Sequence, residues 1–242
     1  MSRHEQIAAA EPMPELEEEH RIEAQFLQYQ HAGYTVLQNA VPPDLLAELQ
    51  VKFERHTEAI IRERSAHWRN YGKRFQIDEL NDDDAFQKLR QLSSIRPLIH
   101  RIARTIWRKK PKFGTVYGSV HPGGEAANQS WHNDARYPER KGVGFVPFLI
   151  RGSVLMDEVT EDMGPTALMP GSHGTHFSPS PWVHTADRQP RELPGMVKFT
   201  GKAGDILIND VSIWHANTPN LSNRPRKLVW LVWEPDLENF DP

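Results

Sequence analysis

Apolar residues recur every three to four positions in the first part of the chain and every second position in the last part. Over 19–32 that spacing puts Ile22, Phe26 and Tyr29 on one helical face, with Gly33 as a stop. "YTVLQNA" (34–40) then reads as a short strand. "VPPDLLAELQVKFERHTEAIIRERSA" (41–66) opens with prolines suited to a first helical turn, and Leu45, Leu49, Phe53, His56 and Ile60 line one face. "WRNYGKRFQIDELNDDD" (68–84) reads as loop, and helices are predicted over 84–92 and 96–108, the latter with Leu98, Ile102 and Ile106 in register. From residue 112 the period falls to two. β-Branched and aromatic runs at 112–121, 146–159, 166–171, 195–202, 204–217 and 226–235 are separated by Gly, Pro and Asn. Helices first and strands after predict an α+β unit whose C-terminal half is a sheet sandwich or barrel.

Residues 1–18 are acidic, proline-bearing and poor in large apolar groups, and read as a flexible arm. The division expected is therefore an arm over 1–18 and one domain over 19–242, helical over 19–110 and sheet-built over 111–242. The stretch 173–194 is long, irregular and proline-rich, as functional lids or disordered loops are.

Composition narrows the function classes. The 242 residues carry a formal net charge of -3, so nothing draws the chain as a whole to nucleic acid or to an anionic membrane. No apolar run approaches the roughly 20 residues that a membrane-spanning helix needs, and the acidic N-terminus lacks a signal-peptide core. A cytoplasmic location is the expectation. Cysteine is absent, so disulfides and thiolate ligands are excluded. Any metal site must draw on His, Asp, Glu and water, and the 12 histidines make imidazole plentiful.

The chemistry concentrates in two stretches. In "SWHND" (130–134), read as an extended strand edge, His132 and Asp134 project to the same face. An imidazole and a carboxylate side by side can supply two ligands to one cation. A third from another strand would complete the two-histidine, one-carboxylate set that leaves positions open on Fe(II). Alone, an H-x-D is weak and occurs by chance. The second stretch, "GDILINDVSIWHANTPNLSNRPRKLVWLVW" (204–233), puts His215 at a strand end and Arg226 at the head of an apolar strand. A buried arginine needs an anionic partner, and its planar fork matches a carboxylate.

The H-x-D, the later "GPTALMPGSH" (164–173), a Gly-Asp turn, and a histidine followed eleven residues on by arginine resemble the phytanoyl-CoA dioxygenase family. The resemblance runs from "GYTVLQNAVPPDLLAEL" (33–49) to "RKLVWLVW" (226–233). It implies a double-stranded β-helix (a cupin-like jelly roll) with the N-terminal helices packed on it. It implies an Fe(II)- and 2-oxoglutarate-dependent dioxygenase that oxidises an unactivated C–H bond of a small molecule with dioxygen, releasing succinate and CO2. By the family's pattern His132, Asp134 and His215 are the iron ligands, and Arg226 clamps the far carboxylate of 2-oxoglutarate, with Arg224 as competitor. Asn217 stands where the family often has Ser or Thr against the cosubstrate. Tyr117, Ser119 and His121 are further cosubstrate candidates, Tyr117 foremost. Because Asp134 is present, halogenation, which needs a small residue there, is disfavoured. No acyl-CoA signature is evident, which points to a small natural-product or amino-acid-like substrate.

Plainer readings compete at each position. The triad residues could be a hydrogen-bonding set at the surface, on a jelly-roll protein that binds a small molecule without turnover. Arg226 could pair with Asp205 or Asp210. His173 is expected to support a turn rather than to ligate metal. Arg136 and Tyr137 face either substrate or solvent. The basic run 62–74 is expected to be a solvated helix end, and Trp68, Tyr71 and Trp182 form either a lid or a satellite core.

Overall fold

The structure is a computed structural model that describes residues 18–71, 75–124, 130–134, 149–175, 179, 181–185 and 189–236, with the backbone alone for 63–71 and 181. Arg136 and Tyr137 lie outside the described residues, as do the side chains of Trp68 and Tyr71 and the arm before residue 18.

The first element is α1 (Glu18–Ala32), followed by β1 (Tyr34–Leu37) and α2 (Pro43–Tyr71). Gly33 ends α1 with φ +82 while its N–H reaches the Tyr29 carbonyl at 2.8 Å. Helix α2 runs past the break expected at residue 67, and the stretch read as loop contains β2 (Phe75–Ile77) and a 3-10 turn over Asp78–Asp82. Phe75 and Ile77 are buried while Gln76 is exposed, so three residues alternate correctly but are too few to stand out in the sequence. The helix expected over 84–92 is one turn, α3 (Asp84–Gln87), continued as 3-10 over Lys88–Gln91. Helix α4 (Arg96–Ile106) then leads into β3 (Pro111–His121), β4 (Ile150–Leu155), β5 (Thr166–Leu168), β6 (Val197–Phe199), β7 (Ile206–Asp210), β8 (His215–Asn217) and β9 (Arg226–Pro235).

The strands form two antiparallel sheets, one of six in the order β1-β7-β4-β9-β3-β2 and one of three in the order β6-β5-β8. The run 204–217, read as one strand, is two strands in different sheets. The break is a turn in which Asp210 accepts from the Ser212 N–H at 2.8 Å and the Ile213 N–H reaches the Asp210 carbonyl. That switch carries His215 out of the first sheet and into the second.

Alternation divides the core in two. Val116, Val120, Val154, Ile208, Val229, Leu231 and Trp233 share one cluster with Phe26, Tyr29, Phe53, Leu98 and Ile102 of the helices. Their neighbours one position along, Leu155, Leu207, Leu228 and Trp230, share another with Leu168 and Phe199 of the small sheet. The second cluster lies between the sheets, so Tyr117, Ser119, His121, Arg151, Ser153 and Arg226, which keep its parity, line the interior face. Each fully buried aliphatic or aromatic side chain contributes about 1.5–3 kcal/mol. The polar ones among these interior positions need a separate explanation.

Candidate metal centre

His132 and His215 face one another as an isolated antiparallel bridge, each N–H donating to the other's carbonyl at 2.9 and 2.8 Å. The Asp134 N–H donates to the Val211 carbonyl at 2.9 Å, which fixes the H-x-D against the β7–β8 switch. His132, Asp134 and His215 each bring a ligand atom to one place, all within 4.8 Å of one another. The imidazole centroids are 4.2 Å apart. His132 Nε2 lies 3.7 Å from Asp134 Oδ1, and His215 Nε2 lies 3.3 Å from Asp134 Oδ2.

The tautomers follow from the partners. His132 Nδ1 sits 2.7 Å from the Ser130 carbonyl, and His215 Nδ1 sits 2.9 Å from the Ile213 carbonyl. A carbonyl only accepts, so both Nδ1 atoms carry hydrogen and both Nε2 atoms turn toward Asp134. Burial, and after it the neighbouring His215, push His132 down to about 4, so that this ring is neutral at pH 7. Burial raises the Asp134 carboxyl, but the close approach of His215 and the charge of Arg151 outweigh it and hold the group well below the usual carboxylate range. Lone pairs of two imidazoles and an ionised carboxylate converging on one point repel unless a cation lies between them. The donor set is the one that fits Fe(II) with open positions left over.

Arg226 is buried at 2% exposure, whereas Arg224 is exposed. The Arg226 guanidinium donates through Nη1 to the Gly164 carbonyl and through Nη2 to Asn217 Oδ1 at 3.0 Å. Asn217 follows His215 two residues along on the same face of β8, roughly 7 Å away by strand rise, and its Oδ1 is what holds the guanidinium. Asp205 instead accepts from the Asn39 and Lys202 N–H groups, and Asp210 from Ser212, so both acids cap turns. Arg224 Nη2 rests on Met163 Sδ at 3.2 Å. Tyr117 stacks on Trp230 with centroids 6.2 Å apart, and Trp230 Nε1 donates to Ser119 Oγ at 2.8 Å. His121 is buried opposite Arg226 in the β3–β9 register. His173 is apart from the triad: its Nε2 meets the Gln30 carbonyl at 3.0 Å, tying the "PGSH" turn to α1. Trp182 is 66% exposed.

One residue of this centre is missing from the sequence reading. Arg151, on the interior face of β4, donates through Nη1 to Asp134 Oδ2. Its Cζ lies 5.4 Å over the Trp230 ring. The signal was present, since "FLIRGSVLM" is an apolar run interrupted by one charge at an interior-parity position. The segment leading to His132 is likewise tied to the 181–193 stretch. Ser130 Oγ contacts His184 Nδ1 at 2.5 Å, and Trp131 Nε1 donates to the Arg191 carbonyl at 2.7 Å.

Comparisons with known proteins agree on one family and one fold. Ectoine dioxygenase from Bordetella bronchiseptica is 25% identical over 241 residues, which cover 87% of this chain and 74% of that protein. HygX from Streptomyces hygroscopicus, solved with nickel, 2-oxoglutarate and hygromycin B bound, superposes with a TM-score of 0.64 at 12% identity, covering 88% of this chain and 87% of its own. The non-heme alpha ketoglutarate dependent epimerase SnoN from nogalamycin biosynthesis superposes with a TM-score of 0.59 at 17% identity, covering 90% and 84%. Both likenesses show the jelly-roll fold of 2-oxoglutarate oxygenases. The family model described as "Phytanoyl-CoA dioxygenase (PhyH)" matches residues 29–228, a span that holds His132, Asp134, Arg151, His215 and Arg226. The chain belongs to the phytanoyl-CoA dioxygenase family and is a non-haem iron, 2-oxoglutarate-dependent dioxygenase.

Proposed function

We propose that the protein hydroxylates an unactivated C–H bond of a small polar metabolite, with His132, Asp134 and His215 holding Fe(II) and Arg226 anchoring the far carboxylate of 2-oxoglutarate. The observation that carries this reading is the convergence of three donor atoms within 4.8 Å, with both Nδ1 atoms committed elsewhere. Bound iron with 2-oxoglutarate and dioxygen supplies the oxidising power. The chain's own residues orient and exclude. The carbonyls of Ser130 and Ile213 set the two imidazoles, Arg151 sets the carboxylate, and Asn217 sets the guanidinium of Arg226. Tyr117 and Trp230 wall the interior between them.

Residues 19–242 act as one oxygenase domain, the N-terminal helices buttressing the outer face of the six-stranded sheet. The shared cluster of helical and strand residues supports this. Among the described residues no helix is long and apolar enough to cross a membrane. The ectoine dioxygenases among the relatives, and HygX with hygromycin B bound, support a polar small molecule as substrate.

The test is anaerobic addition of Fe(II) and 2-oxoglutarate, which should produce a weak visible charge-transfer band in the parent and none in His132→Ala or His215→Ala. A binding protein without turnover gives no band and releases no succinate in a mass-spectrometric substrate screen. Mn(II) binding by either mutant as tight as in the parent would overturn the ligand assignment.

A further inference from the structure

The metal centre contains one more guanidinium than its cosubstrate needs. Arg226 is placed for one carboxylate of 2-oxoglutarate, and a bound divalent metal meets the other. Arg151 remains, charged, with Nη1 on Asp134 Oδ2. Holding that carboxylate in place requires only a neutral donor. A fixed positive charge beside Asp134 opposes a metal cation at the same position, so the charge calls for an anion of its own.

Two further atoms point the same way. Arg151 Nε is buried and has no hydrogen-bond partner among the described residues, and neither does Ser153 Oγ, whose residue is fully buried. Both lie on the interior face of β4, two positions apart. In register Ser153 stands opposite Trp230 of β9 and Arg151 opposite Val232. The Trp230 ring lies beneath the guanidinium and is fixed by its own bond to Ser119 Oγ, so the fork is held rather than free to swing to solvent. The charges agree. His132, Asp134, His215, Arg151, Asn217 and Arg226 bring two guanidiniums and one carboxylate together. With a divalent metal and doubly charged 2-oxoglutarate bound, these described residues would leave one positive charge in excess.

We propose that Arg151, with Ser153, forms a second carboxylate-binding subsite beside Asp134, so that the substrate of this dioxygenase carries a carboxylate close to the carbon that is oxidised. The inference rests on the metal-site reading above. The cosubstrate's own carboxylates are met by the metal and by Arg226, so the substrate is the source that the charge count singles out. The anchor would also fix the orientation of the substrate, which is what selects one C–H bond over its neighbours.

The experiment uses the full-length protein loaded with Mn(II) and 2-oxoglutarate under argon. The probes are acetate and benzoate, each set against its neutral isostere, acetamide or benzamide. Paramagnetic relaxation of the probe protons by Mn(II) reports both affinity and nearness to the metal, without turnover. In the parent the carboxylates should bind about ten- to a hundredfold more tightly than the amides. Arg151→Gln, which can still donate to Asp134, should abolish the preference when it is read with Mn(II) at saturation for each variant. Arg151→Lys should restore it in part, and Ser153→Ala should weaken it. Equal binding of carboxylate and amide by the parent, or a preference unchanged in Arg151→Gln, overturns the subsite. A fall in 2-oxoglutarate affinity in Arg151→Gln, with acetate binding unaltered, would make the cosubstrate the anion concerned and overturn the assignment to substrate. Failure of the parent to bind Mn(II) would overturn the metal-site reading itself. Mn(II) binding without carboxylate preference overturns the inference alone.

Discussion

At the scale of single residues, Arg226 and Arg224 carry the sharpest contrast. Their side chains differ in burial although they stand two apart, because Pro225 precedes the strand and β9 begins at Arg226. If Arg226 anchors 2-oxoglutarate as proposed, Arg226→Ala loses two charge-assisted hydrogen bonds to a carboxylate, each worth roughly 1.5–3 kcal/mol. The apparent constant for 2-oxoglutarate should then rise on the order of a hundredfold. Arg226→Lys keeps the charge without the fork and should recover part of it, while Arg224→Ala should leave the constant near the parent value. The reverse ranking would mean that the register of β9 is misassigned. Parity put His132 and Asp134 on one face, and the resemblance to the family added His215; the structure brings one ligand atom of each within 4.8 Å of the others. Arg151 was not recognised, because its partner Asp134 is non-local and a lone charge in an apolar run has several explanations. The partners of Asp205 and Asp210 were equally out of reach, since they include the backbone N–H groups of Asn39, Lys202 and Ser212, which any residue could supply.

At the scale of elements, the long helices and six of the nine strands follow from periodicity, whereas short elements depend on what they pack against. Strand β2 exists because Phe75, Gln76 and Ile77 pair with Val120, Ser119 and Gly118 of β3. Helix α3 is one turn started by Asp83, whose carboxylate accepts from the Ala85 N–H at 3.0 Å and from Lys52 Nζ of α2 at 2.8 Å. Burial raises the Asp83 carboxyl. The hydrogen bonds from Lys52, Ala85 and His56 outweigh that and hold it below the ordinary carboxylate range. A depressed carboxylate stabilises the fold above its unfolded value, and the contribution is lost as pH falls through the lower folded value. Asp83→Asn should therefore lower the melting temperature at neutral pH. Asn caps as well as Asp, so what is lost is the ion pair with Lys52. At about 1 kcal/mol or less the drop is roughly 2–4 °C or less, and it should shrink toward zero as pH falls through the lowered folded value. A difference that stays constant with pH would show that the charge has no part in it. Trp131, 3% exposed, ties the H-x-D segment to the Arg191 carbonyl. Trp131→Phe leaves that carbonyl without its indole donor and should cost about 1–3 kcal/mol, read by chemical denaturation.

At the scale of the whole molecule, the helical layer and the six-stranded sheet meet where Gly118 leaves no room. A Cβ there would come within 2.9 Å of both Leu80 Cδ1 and Phe53 Cε2. Gly118→Val should destabilise the fold by about 1–3 kcal/mol or more through overpacking, while sparing 2-oxoglutarate affinity, because β3 presents Tyr117 and Ser119 on its other face. Loss of cosubstrate binding out of proportion to stability would contradict that division of the strand. The general layout, helices first and strands after, was legible from the chain. The closeness of the layers was not, since a glycine in a strand is silent about which side approaches it. The His132–His215 bridge has a further consequence. The two residues belong to segments far apart in the chain, and the open chain holds no arrangement that brings them together with Asp134. An ion that binds only the closed arrangement shifts the balance between native and unfolded molecules by mass action. At a free Mn(II) concentration a hundred times the dissociation constant that shift is about 2.7 kcal/mol, or roughly 5–10 °C in melting temperature for a protein of this size. It should vanish in His215→Ala, so that thermal denaturation under increasing Mn(II) becomes a direct titration of the bond between the two ends of the barrel wall.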